Sequence, residues 1–218
     1  MPDYAAARRN MVDSQLRTNR VTDEALLAAM GEIPRERFVP PALAGVAYVD
    51  EDLALGGGRY LMEPMVLARM IQAAEIQPSD AVLDVGCATG YSSAVASRLA
   101  AMVIGLESDS RLAKAATDNL AALRIDNAVI VSGDMRAGHP RQAPYDVILL
   151  QGAISEIPAQ IAAQLAEEGR LVAVLAPPGA TGRATLSLKT GGIVSHRDLF
   201  DAATPPLPGF ELAPGFRF

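Results

Sequence analysis

The segment Val82-Leu83-Asp84-Val85-Gly86-Cys87-Ala88-Thr89-Gly90-Tyr91 constrains this chain more than any other. An apolar run ends beside an acid, glycines follow at Gly86 and Gly90, and a helical pattern starts at Tyr91. That order predicts a strand, a tight turn and a helix N-terminus. Backbone is left bare at the turn, where a side chain would block a nucleotide-like ligand. The spacing matches neither the dinucleotide fingerprint G-x-G-x-x-G nor the phosphate loop G-x-x-x-x-G-K-[ST]. Taken alone, the segment is also compatible with an ordinary strand–turn–helix junction.

The surroundings favour a parallel sheet. Apolar strand candidates lie at Ala81–Val85, Met102–Leu106, Ala128–Val131, Tyr145–Leu150 and Leu171–Leu175. Helix candidates fall between them at Tyr91–Leu99, Ser110–Leu123 and Glu156–Leu165. Such alternation predicts an α/β fold with helices on both faces and the ligand across the carboxyl ends of the strands. After Pro177-Pro178-Gly179, the pieces Ala184–Lys189, Ile193–Leu199 and Phe210–Phe218 read as antiparallel edge strands. Residues 1–78 read as a mainly helical extension packed on a core of residues 79–218. Helical spacing covers Ala5–Thr18 and Thr22–Met30, the latter beginning at a Thr22 cap, and a further stretch runs from Pro64 to about Ala74. Pro34, Pro40 and Pro41 interrupt the pattern, and Gly56-Gly57-Gly58 forms a turn.

The loop at Asp84–Gly90 resembles the D/E-x-G-x-G-x-G loop of S-adenosylmethionine-dependent methyltransferases, with Ala88 where the middle glycine stands. The resemblance implies a Rossmann-like methyltransferase core and S-adenosyl-L-methionine as methyl donor, leaving S-adenosyl-L-homocysteine. Acids at strand ends suit such a ligand, since a carboxylate accepts two hydrogen bonds from a ribose. Glu107 follows the second strand and is the expected ribose partner. Asp134 closes the third and is placed to accept from the adenine amine, while Gln151 ends the fourth. The expected cofactor set is Asp84, Gly86, Cys87, Gly90, Glu107, Ser108, Asp134, Met135 and Gln151.

Nearly the whole chain resembles the protein-L-isoaspartate O-methyltransferase family. The lead-in segments Met11-Val12-Asp13-Ser14-Gln15-Leu16-Arg17 and Pro34-Arg35-Glu36-Arg37-Phe38-Val39-Pro40 carry the resemblance, followed by Tyr145-Asp146-Val147-Ile148 and Gly169-Arg170-Leu171-Val172. It implies methylation of the free carboxylate of isoaspartyl residues in damaged proteins or peptides. The family segment G-H-G-Q-T-I-S-Q-P is here Gly56-Gly57-Gly58-Arg59-Tyr60-Leu61-Met62-Glu63-Pro64. Gly57 thus stands for the histidine, Arg59 for glutamine, Tyr60 for threonine and Met62 for the serine taken as catalytic; Ala184 stands where a cofactor-side glutamine is usual. Met62, Arg59 and Tyr60 are the acceptor-side candidates. Methionine donates no hydrogen bond. Arg59 either holds a carboxylate with its two-pronged guanidinium or points to solvent. Tyr60 either packs over the sulfonium or fills vacated space. A different small acceptor, or a catalytically silent cofactor-binding homologue, are the alternatives.

Composition narrows the field. A net charge of −6 argues against nucleic acid, although Arg8, Arg9, Arg17 and Arg20 cluster near the start. No apolar run reaches the ~18 residues of a spanning helix, and the first residues lack a signal-peptide layout. One cysteine with two histidines excludes an internal disulfide and an ordinary Cys/His zinc site, so no metal is expected. The expected location is the cytoplasm. Cys87 sits where a helix N-terminus could lower a thiol pKa, but without a nearby histidine it reads as a small loop residue. His139 and His196 read as surface residues, and Gln151-Gly152-Ala153-Ile154 replaces the [DNS]-P-P-[YF] signature of amine methylation.

Overall fold

A computed structural model describes residues 3–211. Helix α1 (Tyr4–Met11) runs on through a π turn, Val12–Leu16, and a 3-10 turn, Arg17–Asn19, so the expected first helix is one broken rod. Helix α2 spans Glu24–Glu32. Its cap is Asp23 and not Thr22: the Asp23 carboxylate accepts from the Ala25 and Leu26 amides. The prolines divert the chain through 3-10 turns at Arg35–Phe38 and Pro41–Val46. Strands β1 (Leu53–Gly56) and β2 (Arg59–Leu61) then form a small antiparallel hairpin. Helix α3 occupies Pro64–Ala74, with proline at its first position as the missing N–H allows.

The α/β core follows: β3 (Ala81–Val85), α4 (Tyr91–Ala96), β4 (Met102–Glu107), α5 (Ser110–Ala122), β5 (Ala128–Ser132), β6 (Tyr145–Ile154), α6 (Ala159–Ala162) and β7 (Leu165–Leu175). Strands β8 (Arg183–Thr190) and β9 (Ile193–Asp201) finish the sheet. The order is β5-β4-β3-β6-β7-β8-β9. Pairs from β5 to β7 are parallel, whereas β7–β8 and β8–β9 are antiparallel, as the tail pattern predicts. Phe210 and Glu211 form no strand, and the rest of the expected piece Phe210–Phe218 lies outside the described residues.

Two expected helices are shorter than their sequence patterns. After Ala96 the amides of Arg98 and Leu99 turn to the carbonyls three residues back, at Val95 and Ala96, which tightens the helix end. The stretch Glu156–Leu165 is helical only at Ala159–Ala162, because Pro158 fixes the start and Leu165 pairs with Tyr145 across the sheet.

The sheet is buried on both faces. Val82 packs with Met11, Leu26, Phe38 and Val66 of the lead-in and α3, whereas Leu83 packs with Ile148, Ile161 and Leu171 on the opposite side. Successive strand residues point to opposite faces, so a continuous apolar run serves two cores at once. The lead-in shares one core with the sheet.

Candidate functional site

The carboxyl ends of β3 and β4 meet the hairpin β1–β2 and the returning segment around Leu207. Asp84, in β3, is fully buried. It accepts from the hydroxyls of Ser92 and Ser93 at 2.6 Å each and from the Gln151 amide at 2.8 Å. Its pKa is raised by burial, against the opposing pull of those hydrogen bonds and of Arg59. Asp84 therefore ties α4 and β6 to β3, and both it and Gln151 are directed inward. Gly86, at φ 77°, is the point of closest packing: a Cβ there would lie 2.8 Å from Arg59 Nη2 and 2.8 Å from Leu207 Cδ1. Gly90 has φ 92°, and a Cβ on it would meet the Ala116 Cβ at 3.0 Å. Ala88 takes a left-handed φ of 50° in the place of the missing glycine. Cys87 is buried, and desolvation with the nearby Asp84 and Glu107 charges raises its thiol pKa well above the ordinary value. That opposes the lowering a helix start could give and agrees with the reading of Cys87 as a small loop residue.

Glu107 ends β4 and is fully buried. Its Oε2 accepts from the Ala88 amide at 2.8 Å and from Arg59 Nε at 3.2 Å and Nη2 at 3.0 Å. Its Oε1 accepts from the amides of Ser108 at 2.9 Å and Asp109 at 3.1 Å. Ser108 itself is exposed, Asp134 is exposed at the end of β5 and caps the Met135–Ala137 turn through the Arg136 amide, and Met135 is buried.

Arg59 is the residue whose placement differs most from expectation. It is 3% exposed and donates to the Gly86 carbonyl as well as to Glu107. It neither points to solvent nor faces outward toward an acceptor. Strand alternation puts Arg59 on the face of Leu61 and opposite Tyr60, which is 37% exposed, and the ion pair with Glu107 holds that face inward. The turn that permits it needs three consecutive positive φ values, 91°, 60° and 73° at Gly56, Gly57 and Gly58. Met62 is buried, and its carbonyl accepts from Arg35 Nη2 at 2.7 Å. Glu63 gives its amide to Asp52 at 2.9 Å. Burial, then the charges of Asp52 and Asp50, push its carboxyl up to about 7.

Sequence reading missed three features that shape this site. Leu207 is fully buried and packs on Gly86 and Gly152; its amide bonds to the Ala153 carbonyl at 2.7 Å. Thr89 Oγ1 donates to the Phe38 carbonyl at 2.6 Å, locking the glycine turn to the lead-in. Arg35 is wholly buried beneath the Met62 segment, its guanidinium 5.0 Å from the Tyr91 ring centroid. Only the third had a local signal, since an arginine followed by Phe38 and Val39 lies in a stretch that must be packed. A cavity of about 360 Å³ adjoins the turn, bordered by Phe38, Leu55, Thr89, Leu112 and Asn119.

A glycine turn between β3 and α4 with a buried acid ending β4 is the arrangement expected of a nucleoside-binding α/β fold. The sequence model of "Protein-L-isoaspartate(D-aspartate) O-methyltransferase (PCMT)" matches residues 7–199, and thus most of the chain. The chain belongs to the protein-L-isoaspartate O-methyltransferase family. A Methylorubrum extorquens relative named protein-L-isoaspartate O-methyltransferase is 43% identical over 93% of this chain and 86% of its own length. One from Koribacter versatilis with the same name is 38% identical, over 94% and 92%. A solved protein-L-isoaspartate O-methyltransferase superposes with a TM-score of 0.81 at 26% identity, over 93% of this chain and 66% of that one. A Plasmodium falciparum structure described as a putative member in complex with S-adenosyl-L-homocysteine superposes with a TM-score of 0.78 at 20% identity, over 95% and 99%, and shows the shared fold. The architecture is the Rossmann-like methyltransferase fold with an N-terminal helical extension and antiparallel final strands. No helix among the described residues is long and apolar enough to cross a membrane, and they hold no metal-ligating cluster.

Proposed function

We propose that this chain is an S-adenosylmethionine-dependent O-methyltransferase of the cytoplasm whose acceptor is the carboxylate of isoaspartyl residues in proteins or peptides. The observation that carries the reading is the Glu107 carboxylate at the end of β4, beside the glycine turn, in a chain of this family. The donor set fits the cofactor's chemistry: an acid for a vicinal diol, a turn whose Gly86 and Gly90 carry no side chains of their own, and an exposed acid at Asp134 for an exocyclic amine. Glu107 would hold the ribose, Asp134 the adenine, and the backbone from Gly86 to Gly90 the amino-acid part. Ser108 and Met135 would flank the adenine. When bound, S-adenosylmethionine supplies an electrophilic methyl group.

The protein's share of the work is alignment. A carboxylate acceptor is already ionised near neutral pH, so no general base is required. Holding oxygen, methyl carbon and sulfur on one line is a proximity effect. Met62 offers no hydrogen bond to the acceptor, which leaves backbone amides of the hairpin and the exposed Tyr60 hydroxyl as the available donors. A less polar small acceptor is the second reading, favoured by the apolar lining of the cavity that Phe38, Leu55 and Leu112 border. The test is transfer of a labelled methyl group to an isoaspartyl peptide, with the normal aspartyl peptide as control. Selective labelling is expected. Cofactor binding without labelling would move the acceptor to the second class.

A further inference from the structure

We propose that Arg59 competes with the cofactor's ribose for Glu107, and that this chain takes up the cofactor only when the guanidinium withdraws. The proposal rests on the methyltransferase reading above and identifies the residue that sets cofactor affinity in this chain.

Hydrogen-bond capacity carries the argument. A carboxylate oxygen offers about two lone-pair sites. Oε2 of Glu107 already meets three N–H donors, from Ala88 at 2.8 Å and from Arg59 at 3.2 and 3.0 Å. Oε1 meets the Ser108 and Asp109 amides, with the Ser108 hydroxyl at 3.4 Å. No acceptor site is left for a diol. The Ala88, Ser108 and Asp109 amides belong to the turn and to the end of β4, so they are fixed by the fold. The Ser108 hydroxyl can rotate away but frees only Oε1, which keeps two amide donors; Arg59, from the hairpin, is the donor whose departure opens Oε2.

Space gives the same answer. Arg59 Nη2 and Leu207 Cδ1 each stand 2.8 Å from where a Cβ of Gly86 would be, so side chains of this protein cover the bare backbone that the turn provides. Arg59 also donates to the Gly86 carbonyl, which places it across the mouth of the turn. The hairpin is anchored at its root, where Asp52 and Asp50 accept from the amides of Glu63 and Met65, and where Leu53 and Leu61 are buried. Arg59 directly follows the tip glycines, so it can swing out without displacing that root. Glutamine, the residue that the family segment carries at this register, is neutral and cannot form an ion pair with Glu107.

The experiment is calorimetric titration of S-adenosyl-L-homocysteine into the native protein, Arg59→Gln and Arg59→Lys, with the folded state of each checked by its melting curve. Arg59→Lys keeps the charge and loses the fork, which guards against a variant that cannot fold. The expected result is a Kd at least tenfold lower in Arg59→Gln, about 1.4 kcal/mol, with Arg59→Lys in between. Equal affinity in all three proteins overturns the competition and leaves the methyltransferase reading in place. Weaker binding by Arg59→Gln overturns it too, because Arg59 would then hold the ligand. Absence of binding in all three, up to millimolar ligand, overturns both this inference and the cofactor assignment beneath it.

Discussion

Ala88 occupies a left-handed backbone conformation that a glycine would adopt without steric cost. For an L side chain that conformation costs roughly 1–2 kcal/mol, while glycine loses more chain entropy on folding. Ala88→Gly should therefore raise stability by about 0.5 kcal/mol in urea denaturation, the difference of those two effects. Asp84 holds three donors that have no water to turn to. Replacing it with alanine leaves buried polar groups unmatched and should cost about 3 kcal/mol by the same measurement. Glu63 supplies a pH signature. Its folded-state pKa is lifted from its ordinary 4.5 to about 7, chiefly by burial and then by Asp52 and Asp50. Between those values the folded state binds more protons than the unfolded chain, so this group's contribution to stability declines as pH rises from about 4.5 to about 7. Thermal melts of Glu63→Gln should match the native protein near pH 4 and exceed it at pH 8. A constant offset at both values would mean that the carboxyl is not lifted.

At the scale of elements, the residue pattern was informative wherever a local rule governed the boundary. Helix α3 begins at Pro64 and ends at Ala74 as its proline and apolar spacing suggest. Strand β3, with its acid and its turn, is equally local. The hairpin was legible only as a glycine turn, although Leu53–Gly56 and Arg59–Leu61 flank it with strand-length segments. Three residues are too few for alternation to outweigh the habit of placing arginine in solvent. What puts Arg59 inside is Glu107, which comes from another part of the chain. The contact of α4 with α5 is set in the same way, by Gly90 against Ala116. Gly90→Ala should cost about 1–3 kcal/mol, from the positive φ together with a Cβ forced against Ala116, and calorimetric melting measures it.

Across the whole molecule, the lead-in and the sheet share one hydrophobic core that runs from Met11 and Phe38 to Val82 and Val147. Thr89 adds a polar tie between them at the Phe38 carbonyl, and Arg35, hydrogen-bonded to Ala47 and Met62 within the lead-in, lays its guanidinium against the Tyr91 ring of α4. A chain built in this way should melt in a single cooperative transition, and a variant lacking residues 1–50 should not retain a folded core. Two resolved calorimetric peaks in the full chain would count against that shared core.

By itself the sequence determined the α/β class, the glycine turn, the acid at the end of β4 and the family. The first three follow from neighbours along the chain, through apolar runs, glycine spacing and the periods of strand and helix, and the family from the resemblance of its segments. Tertiary structure decided what those groups do with one another. Asp84 turned inward because Ser92, Ser93 and Gln151 converge on it, and Leu207 closed over Gly86 because the chain returns along β6. Arg59 and Glu107 stand 48 residues apart in sequence, and only the folded chain removes both from water. A buried charge is costly unless it finds its opposite, and whether it does is a property of distant segments brought together.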